Sequence, residues 1–427
     1  MVHHRAPFFV LLTILLLSPS IYGRQQPPPT TPATPPTGAA PAAGRGGGRG
    51  APPIKSPEVA ADGRVTFRLR APNAKEVATS VAGNSLAMQK DEQGVWSVTS
   101  TPFTPGIYTY SLVVDGTSLN DPSNRQVQTS FNGFQSMFAV AGPDPWLPAA
   151  GVPKGAITRH RFHSAIANDD RDFFVYTPPG YDVRRAKAYP VLYLLHGLGD
   201  DAERWMAGGG GAHNIFDNLL AQGKTVPMVV VTTLGYGTSA GPAGPSADIV
   251  TGYAKILLTE VMPQIDRSYH VSTKREERAI AGLSMGGAEA LYTGLNNLDK
   301  FAWLGSFSGA FVMWPRGATA PAAPPPAAPP VAAAGGGRGG GRGAGASLDP
   351  SVFELNFPNL DAKANSRIKH MVIACGTADG LLGVNRQFKT WLKAKNVQFV
   401  DDETSDLGHV WPLWRQNLAD FVQKAFK

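Results

Sequence analysis

Two serines in this 427-residue chain sit in the pattern Gly-x-Ser-x-Gly: Ser284 in Gly282-Leu283-Ser284-Met285-Gly286, and Ser239 in Gly237-Thr238-Ser239-Ala240-Gly241. The pattern does chemistry where a strand runs into a sharp turn and a helix follows, because the turn exposes the hydroxyl and small neighbours let other groups approach it. Ser284 follows the apolar run Ala279-Ile280-Ala281 and precedes Gly286-Gly287-Ala288, which can open a helix. Ser239 lies among Gly241, Pro242, Gly244 and Pro245, where no helix can start. Ser284 is therefore the nucleophile candidate, and the chemistry it suits is acyl transfer through a serine ester.

A serine hydroxyl needs a base to take its proton, and the base needs a carboxylate to hold its tautomer and stabilise the imidazolium. After a strand–elbow–helix nucleophile the chain order is acid, then histidine. Of nine histidines, only His370 and His409 follow Ser284. His370 begins the apolar run Met371-Val372-Ile373-Ala374 and reads as a strand residue. His409, in Leu407-Gly408-His409 before the final helical pattern, reads as the base. Asp379 follows a strand and a turn, Ala374-Cys375-Gly376-Thr377-Ala378, which places it at the carboxyl edge of a sheet, where such sites collect. Asp406 is too close to His409 in sequence, and Asp401-Asp402 close another strand, so Asp379 is the expected acid; capping of the next turn is its alternative role.

The tetrahedral oxyanion requires two backbone N–H donors. Met285, directly after the nucleophile, should supply one. The loop His196-Gly197-Leu198-Gly199, after the run Val191-Leu192-Tyr193-Leu194-Leu195, should supply the other, from Leu198, with Gly197 as the alternative. His196 is expected to orient this loop. Trp205 and Trp411, with Trp414, are candidates for lining an acyl or sugar pocket; for Trp411 and Trp414, packing of the last helix is the alternative.

Nothing in the sequence asks for a metal or other cofactor. The single cysteine, Cys375, excludes an intrachain disulfide and a cysteine-based zinc cluster. It reads as a small buried residue. His160 and His163, an odd number of residues apart in a strand, face opposite ways. The net charge of +7 points at first to polyanions. However, Arg5, Arg24, Arg45 and Arg49 near the start, with Arg316, Arg338 and Arg342 in an internal tract, equal the whole excess. The remaining basic side chains match the 32 acidic ones. A nucleic-acid partner is not expected.

The elements that must hold these residues follow from periodicity. Residues 1–23 have a short basic start, the apolar run Phe8 to Leu17 and small residues after it, as in a secretory signal peptide. The run is too short for a membrane span, which needs about 20 apolar residues. No span is expected after cleavage, and the location expected is secreted or periplasmic. Residues 24–54 are rich in Pro, Ala and Gly and are expected to be a disordered linker. A similar tract at 315–346 shares with it the octapeptide Gly-Arg-Gly-Gly-Gly-Arg-Gly-Ala, at 44–51 and 337–344. It follows a strand pointing at the site and is expected to form a flap beside the substrate entrance. Residues 55–142 alternate with period two between turn signals, which predicts a small all-β sandwich. From residue 150 to 427, strands at 173–177, 191–195, 228–232, 278–281, 303–306 and 370–374 alternate with helices at 215–222, 253–265, 286–295, 387–395 and 413–425. That alternation predicts a mainly parallel sheet with helices on both faces.

Particular stretches carry a resemblance. Leu194-Leu195-His196-Gly197, Asp217-Asn218-Leu219-Leu220-Ala221-Gln222-Gly223-Lys224, Ala279-Ile280-Ala281-Gly282-Leu283-Ser284-Met285-Gly286-Gly287 and Phe301-Ala302-Trp303 resemble the esterase D-like α/β-hydrolases of carbohydrate esterase family one. That family includes feruloyl and acetyl xylan esterases, and enterochelin esterases are similar. The stretch Pro105-Gly106-Ile107-Tyr108-Thr109-Tyr110 to Val114-Asp115-Gly116 resembles immunoglobulin-like domains of the glycogen-binding and isoamylase N-terminal type, in which Trp96, Tyr108 and Tyr110 could stack on sugars or simply form core. The resemblance implies an α/β hydrolase behind an immunoglobulin-like sandwich, and hydrolysis of feruloyl or acetyl esters of carbohydrates, or other small esters, by a Ser284, Asp379, His409 triad. A siderophore esterase and a catalytically silent carbohydrate-binding protein are the alternatives. The insert at 315–346 departs from the family pattern.

Overall fold

A computed structural model of the protein describes residues 53–239, 241–242, 246–316, 348–404 and 406–427. The expected signal peptide, all but the end of the linker and nearly all of the 315–346 tract lie outside the described residues, as does any flap the tract forms.

The site rests on an eight-stranded sheet: β1 (Ala156–Ser164), β2 (Asp169–Thr177), β3 (Val191–Leu195), β4 (Val229–Thr233), β5 (Arg278–Leu283), β6 (Trp303–Phe307), β7 (His370–Gly376) and β8 (Val400–Thr404), in the order β1-β2-β4-β3-β5-β6-β7-β8. Strand β2 is antiparallel to both neighbours, and every pair from β4 to β8 is parallel. Central strands covered on both faces read as near-continuous apolar runs. VLYLL, VVVTT and RAIAGL are buried along their lengths, and their polar exceptions have partners: Thr232 donates to Ala202 O, Thr233 bonds Tyr253 and Arg278 pairs with Asp266. Alternate side chains enter opposite cores. Val191, Tyr193, Leu195, Val231 and Ile280 pack under Ser246–Ile256, Met285–Leu295 and Leu382–Ala394, whereas Leu192, Leu194, Val230, Ala279 and Ala281 pack under Ala212–Ala221 and Trp411–Lys424.

Two elements differ from the periodicity reading. The helix expected at 253–265 begins at Ser246 and contains a π-helical turn, Leu257–Val261, just before Pro263. A proline at that place lacks a donor and crowds the preceding turn, and a wider turn accommodates both effects. Strand β8, VDDET, is a half-exposed edge whose acidic residues break the apolar pattern; Asp401 and Glu403 pair there with the buried Lys389.

Ahead of this sheet, two smaller ones face each other. One runs Glu58–Val59, Val65–Arg70, Val95–Thr99, Gln89–Lys90; the other runs Asn84–Ala87, Val77–Val81, Gly106–Val114, Gly133–Val140, Val127–Ser130, with Thr117–Leu119 beside Gly106–Val114. Their inner faces pack Val65, Phe67, Leu69, Val77, Tyr110, Leu112 and Phe138. Trp96 and Tyr110 belong to this core. The Trp96 indole N–H donates to the Ala71 carbonyl, and the Tyr110 hydroxyl donates to Asp121. Neither ring has a free face for a sugar, which corrects that option for both; Tyr108 is half-buried with its hydroxyl on Thr104. Pro53–Lys427 form one compact unit. Among the described residues no helix is long and apolar enough to cross a membrane.

Candidate active site

Strand β5 ends at Leu283, and the helix Met285–Leu295 begins two residues later. Ser284 between them has φ 52° and ψ −116°, a conformation costly for a residue with a side chain. Its backbone is held in place: the N–H donates to Phe307 O at 2.8 Å, and the carbonyl accepts from Gly287, Ala288 and Ala310. The glycines of the motif are steric requirements. A Cβ on Gly282 would lie 2.4 Å from the Gly286 carbonyl oxygen, and one on Gly286 would lie 2.5 Å from that of His196. Ser239 sits in a turn with a buried hydroxyl that has no partner among the described residues.

Ser284 Oγ is 3.0 Å from His409 Nε2, and His409 Nδ1 is 2.9 Å from Asp379 Oδ2. With Nδ1–H donating to the carboxylate, Nε2 is free to accept the serine proton. The three groups arrive from far apart in sequence, at the carboxyl ends of β5 and β7 and from the loop before Trp411–Lys424. Burial alone would raise the Asp379 pKa. The hydrogen bond and charge of His409, the Leu381 N–H at 2.8 Å and the Ser308 hydroxyl outweigh it, so the carboxyl stays below its ordinary range. His370 packs between Trp303 and Phe421 at the start of β7, and Asp406 is exposed. Cys375 is buried, and burial pushes its thiol up to about 12.

The expected second donor loop lies against Ser284: a Cβ on Gly197 would be 3.4 Å from Ser284 Cβ. Among the described residues, neither the Leu198 nor the Met285 N–H has an acceptor. His196 explains how the loop is held. Its ring is fully buried; Nδ1–H donates to the Gly197 carbonyl at 2.8 Å and Nε2 accepts the Gly235 N–H at 3.0 Å. The Gly197 carbonyl and the Leu198 N–H belong to one planar peptide and point in opposite directions, so a hydrogen bond to the former aims the latter. Burial lowers the His196 pKa to about 4, and the ring is neutral at pH 7.

Trp205 is not a pocket residue. Its ring is completely buried, its indole N–H donates to Leu195 O at 2.7 Å, and no face is left for a ligand, which corrects the expectation for this position. Trp411 is half-buried, edge-on to Trp205 and Trp414 at 5.0 and 5.5 Å, with the Arg204 and Arg415 guanidinium groups over its ring. Trp414 is buried, donates to Ser308 Oγ at 3.1 Å and sets its ring edge-on to His409 at 4.8 Å. His160 bonds Tyr269 and His163 bonds Asp170, on opposite sides of β1. Among the described residues no group of His, Cys, Asp and Glu could hold a metal.

Several site neighbours had no readable signal in the sequence. Ser308, with φ 52°, lies beside the Asp379 carboxylate. The Tyr236 hydroxyl accepts the Gly199 N–H at 2.9 Å and donates to Asp200 O at 2.6 Å. Asp200 is paired with Arg204 at 3.2 Å, yet burial outweighs that attraction and raises its carboxyl to about 6. Glu289, one turn past Met285, is wholly buried with no partner on either carboxyl oxygen among the described residues, and burial raises its pKa far above the ordinary value. Its Oε2 would be 3.0 Å from a Cβ on Gly235, so it stands behind the residue that donates to His196.

A family model described as "Putative esterase" matches residues 164–425. The chain is 27% identical over 380 residues to an endo-1,4-beta-xylanase/feruloyl esterase of Xylanibacter ruminicola, an alignment covering 87% of this chain and 46% of the relative. It is 22% identical over 237 residues to an acetyl esterase of Caldicellulosiruptor saccharolyticus, covering 54% of this chain and 80% of that one. The chain spans less than half the length of the xylanase/feruloyl esterase. Among solved structures it is similar to a family-one ferulic acid esterase of Anaeromyces mucronatus in complex with ferulic acid (TM-score 0.51, 23% identity, 67% of this chain and 96% of that one). It is also similar to the enterobactin esterase of Shigella flexneri in the presence of enterobactin (TM-score 0.53, 18% identity, 84% and 93%). At these identities the likeness is one of fold, an α/β hydrolase.

Proposed function

The chain belongs to the esterase family, and on that premise we propose that it is a carboxylic-ester hydrolase that removes feruloyl or acetyl groups from carbohydrates through an acyl-enzyme on Ser284. The observation that carries this reading is the unbroken line Ser284 Oγ, His409 Nε2, His409 Nδ1, Asp379 Oδ2, with both hydrogen bonds at 2.9–3.0 Å.

In this reading His409 Nε2 takes the Ser284 proton as Oγ bonds to the ester carbonyl carbon. The carbonyl oxygen becomes an oxyanion that accepts from the Leu198 and Met285 N–H groups. Its collapse breaks the bond to the sugar oxygen, which leaves with the proton held on His409. Water then attacks the acyl-enzyme and gives its proton to Nε2; the second collapse releases the acid and returns that proton to Ser284. Asp379 remains ionised throughout, and its low pKa suits that role.

The acyl-carbohydrate assignment is supported by the xylanase/feruloyl esterase relative, which aligns over sandwich and hydrolase together, and by the acetyl esterase. A siderophore-type lactone as substrate has the fold likeness alone behind it. The division at 55–142 and 150–427 and export by the 1–23 segment are part of the proposal. A purified-protein panel of an activated acetyl ester, methyl ferulate, acetylated xylan and a tri-catecholate lactone tests it. Turnover of the first three, abolished in Ser284→Ala, is expected; turnover of the lactone alone would refute the carbohydrate assignment, and an inert wild type would leave a silent binding protein.

A further inference from the structure

The hairpin Val127–Ser130/Gly133–Val140 of the sandwich, with Phe131 in its turn, reaches into the hydrolase. The contacts fall on the loop that carries Leu198. The Phe131 N–H donates to the Gly199 carbonyl at 3.0 Å, and the Thr129 N–H donates to Gly208 O at 3.1 Å. The Thr129 hydroxyl donates to Asp201 Oδ1 at 2.8 Å, and the Thr129 carbonyl accepts from Arg204 Nη1 at 3.0 Å. The Phe131 ring stands edge-on to Tyr236 at 5.1 Å, and Tyr236 is the residue whose hydroxyl receives the Gly199 N–H. A Cβ on Gly241 would lie 2.5 Å from the Phe131 ring, so the neighbouring loop also closes on this side chain.

Gly199 is therefore gripped at both polar groups, its N–H by the hydrolase and its carbonyl by the sandwich. It lies one residue past Leu198, at φ 88°, where the loop bends sharply. An oxyanion donor is useful only if it is already in position when charge develops, since reorganisation at that moment consumes the stabilisation it offers. Four hydrogen bonds and a ring contact from another part of the chain are a means of fixing that position.

We propose that the β-sandwich is a working part of the oxyanion hole: Phe131 and Thr129 are positioning residues that hold the Leu198 loop in its catalytic conformation. The inference rests on the hydrolase reading above and adds a role for the sandwich in the chemical step. It requires the sandwich for turnover of small esters with no sugar to bind, which an accessory that only captures polysaccharide would not affect.

The test uses the full chain with Phe131→Ala, Phe131→Tyr and Thr129→Val, folded fraction being checked by near-ultraviolet circular dichroism. The readouts are kcat and KM on an activated acetyl ester, and affinity for a small alkyl boronic acid. Ser284 Oγ adds reversibly to the boron of this probe, placing a boronate oxygen in the oxyanion position. Complete loss of one oxyanion donor costs about 10²–10³ in kcat. A loosened donor should cost on the order of tenfold in Phe131→Ala, with KM within about twofold and boronate affinity falling by the same factor as kcat. Thr129→Val should fall in the same direction and Phe131→Tyr should restore wild-type values. Folded Phe131→Ala and Thr129→Val with wild-type kcat and boronate affinity, beside an active wild type, overturn this inference alone. A wild type inert towards every ester overturns the hydrolase reading and this inference with it.

Discussion

Replacing His196 by alanine should impair stability and turnover together, and the stability part should depend on pH with a defined sign. The substitution removes two buried hydrogen bonds. The Gly197 carbonyl keeps the Asp200 N–H at 3.2 Å, but the Gly235 N–H has no other acceptor among the described residues. A stranded buried donor costs about 1–3 kcal/mol, and the emptied ring volume adds about 1–2 kcal/mol. The variant should be less stable than wild type by about 2–5 kcal/mol at pH 7. In the folded protein the ring titrates near 4, against an ordinary 6.5. A depressed pKa means that the unfolded chain takes up the proton first, so the stabilisation is complete above pH 6.5 and is lost as pH falls towards 4. The 2.5-unit gap corresponds to about 3 kcal/mol. Urea unfolding of both proteins at pH 7, 5.5 and 4 should show their difference shrinking by about that amount. On the activated acetyl ester, kcat should fall about 10- to 100-fold with KM little changed, because the Gly197–Leu198 peptide has lost its main restraint. A stability difference that stays constant from pH 7 to pH 4, or a wild-type kcat, would refute the assignment of a neutral, peptide-orienting His196.

Asp379→Asn should lower kcat by about 10⁴-fold, since an amide that donates to Nδ1 leaves the proton on Nε2, where the serine needs an acceptor; pre-steady-state acylation rates are the check, and acylation within tenfold of wild type would count against the triad. Glu289→Gln should stabilise the protein at pH 8 and not at pH 4. The raised pKa of Glu289 gives a contribution that is present below 4.5 and lost as pH rises through the folded value, so a neutral isostere gains only at the alkaline end; equal gains in melting temperature at both pH values would show that the carboxyl is not held protonated. Trp414→Phe keeps a ring beside His409 but leaves the Ser308 hydroxyl without its indole donor. It should cost about 1 kcal/mol in unfolding free energy and a few-fold in kcat, whereas a loss confined to KM would place Trp414 in substrate binding instead.

What could be read in the sequence divides by the range of the interaction concerned. The inner strands were legible because burial on both faces forces near-continuous apolar runs, and VLYLL or the AIA of RAIAGL needs no partner to be recognised. Of the edge strand β8 only a strand closing at Asp401-Asp402 was legible; it runs on to Thr404 because its acidic residues are matched by Lys389 and Arg386 on a helix that the strand itself does not reveal. Ser284, Asp379 and His409 could be proposed from chain order because each follows a recognisable local signal, an elbow, a strand end and a loop before a helix. The structure brings these three together. Trp205 carried no comparable signal. An aromatic residue in a polar loop looks the same whether it faces a ligand or, as here, points inward to cap the Leu195 carbonyl. Glu289 is the reverse case, a charged residue type in a helix whose burial depends on Gly235 approaching from another element. The hardest to foresee was Phe131, in the turn of a hairpin with nothing local to distinguish it. Its meaning arises only when Gly199, sixty-eight residues later in the chain, closes against it. Residues that do chemistry announce themselves by type and order, whereas residues that hold the chemistry in place are defined by their contacts, and those belong to the fold.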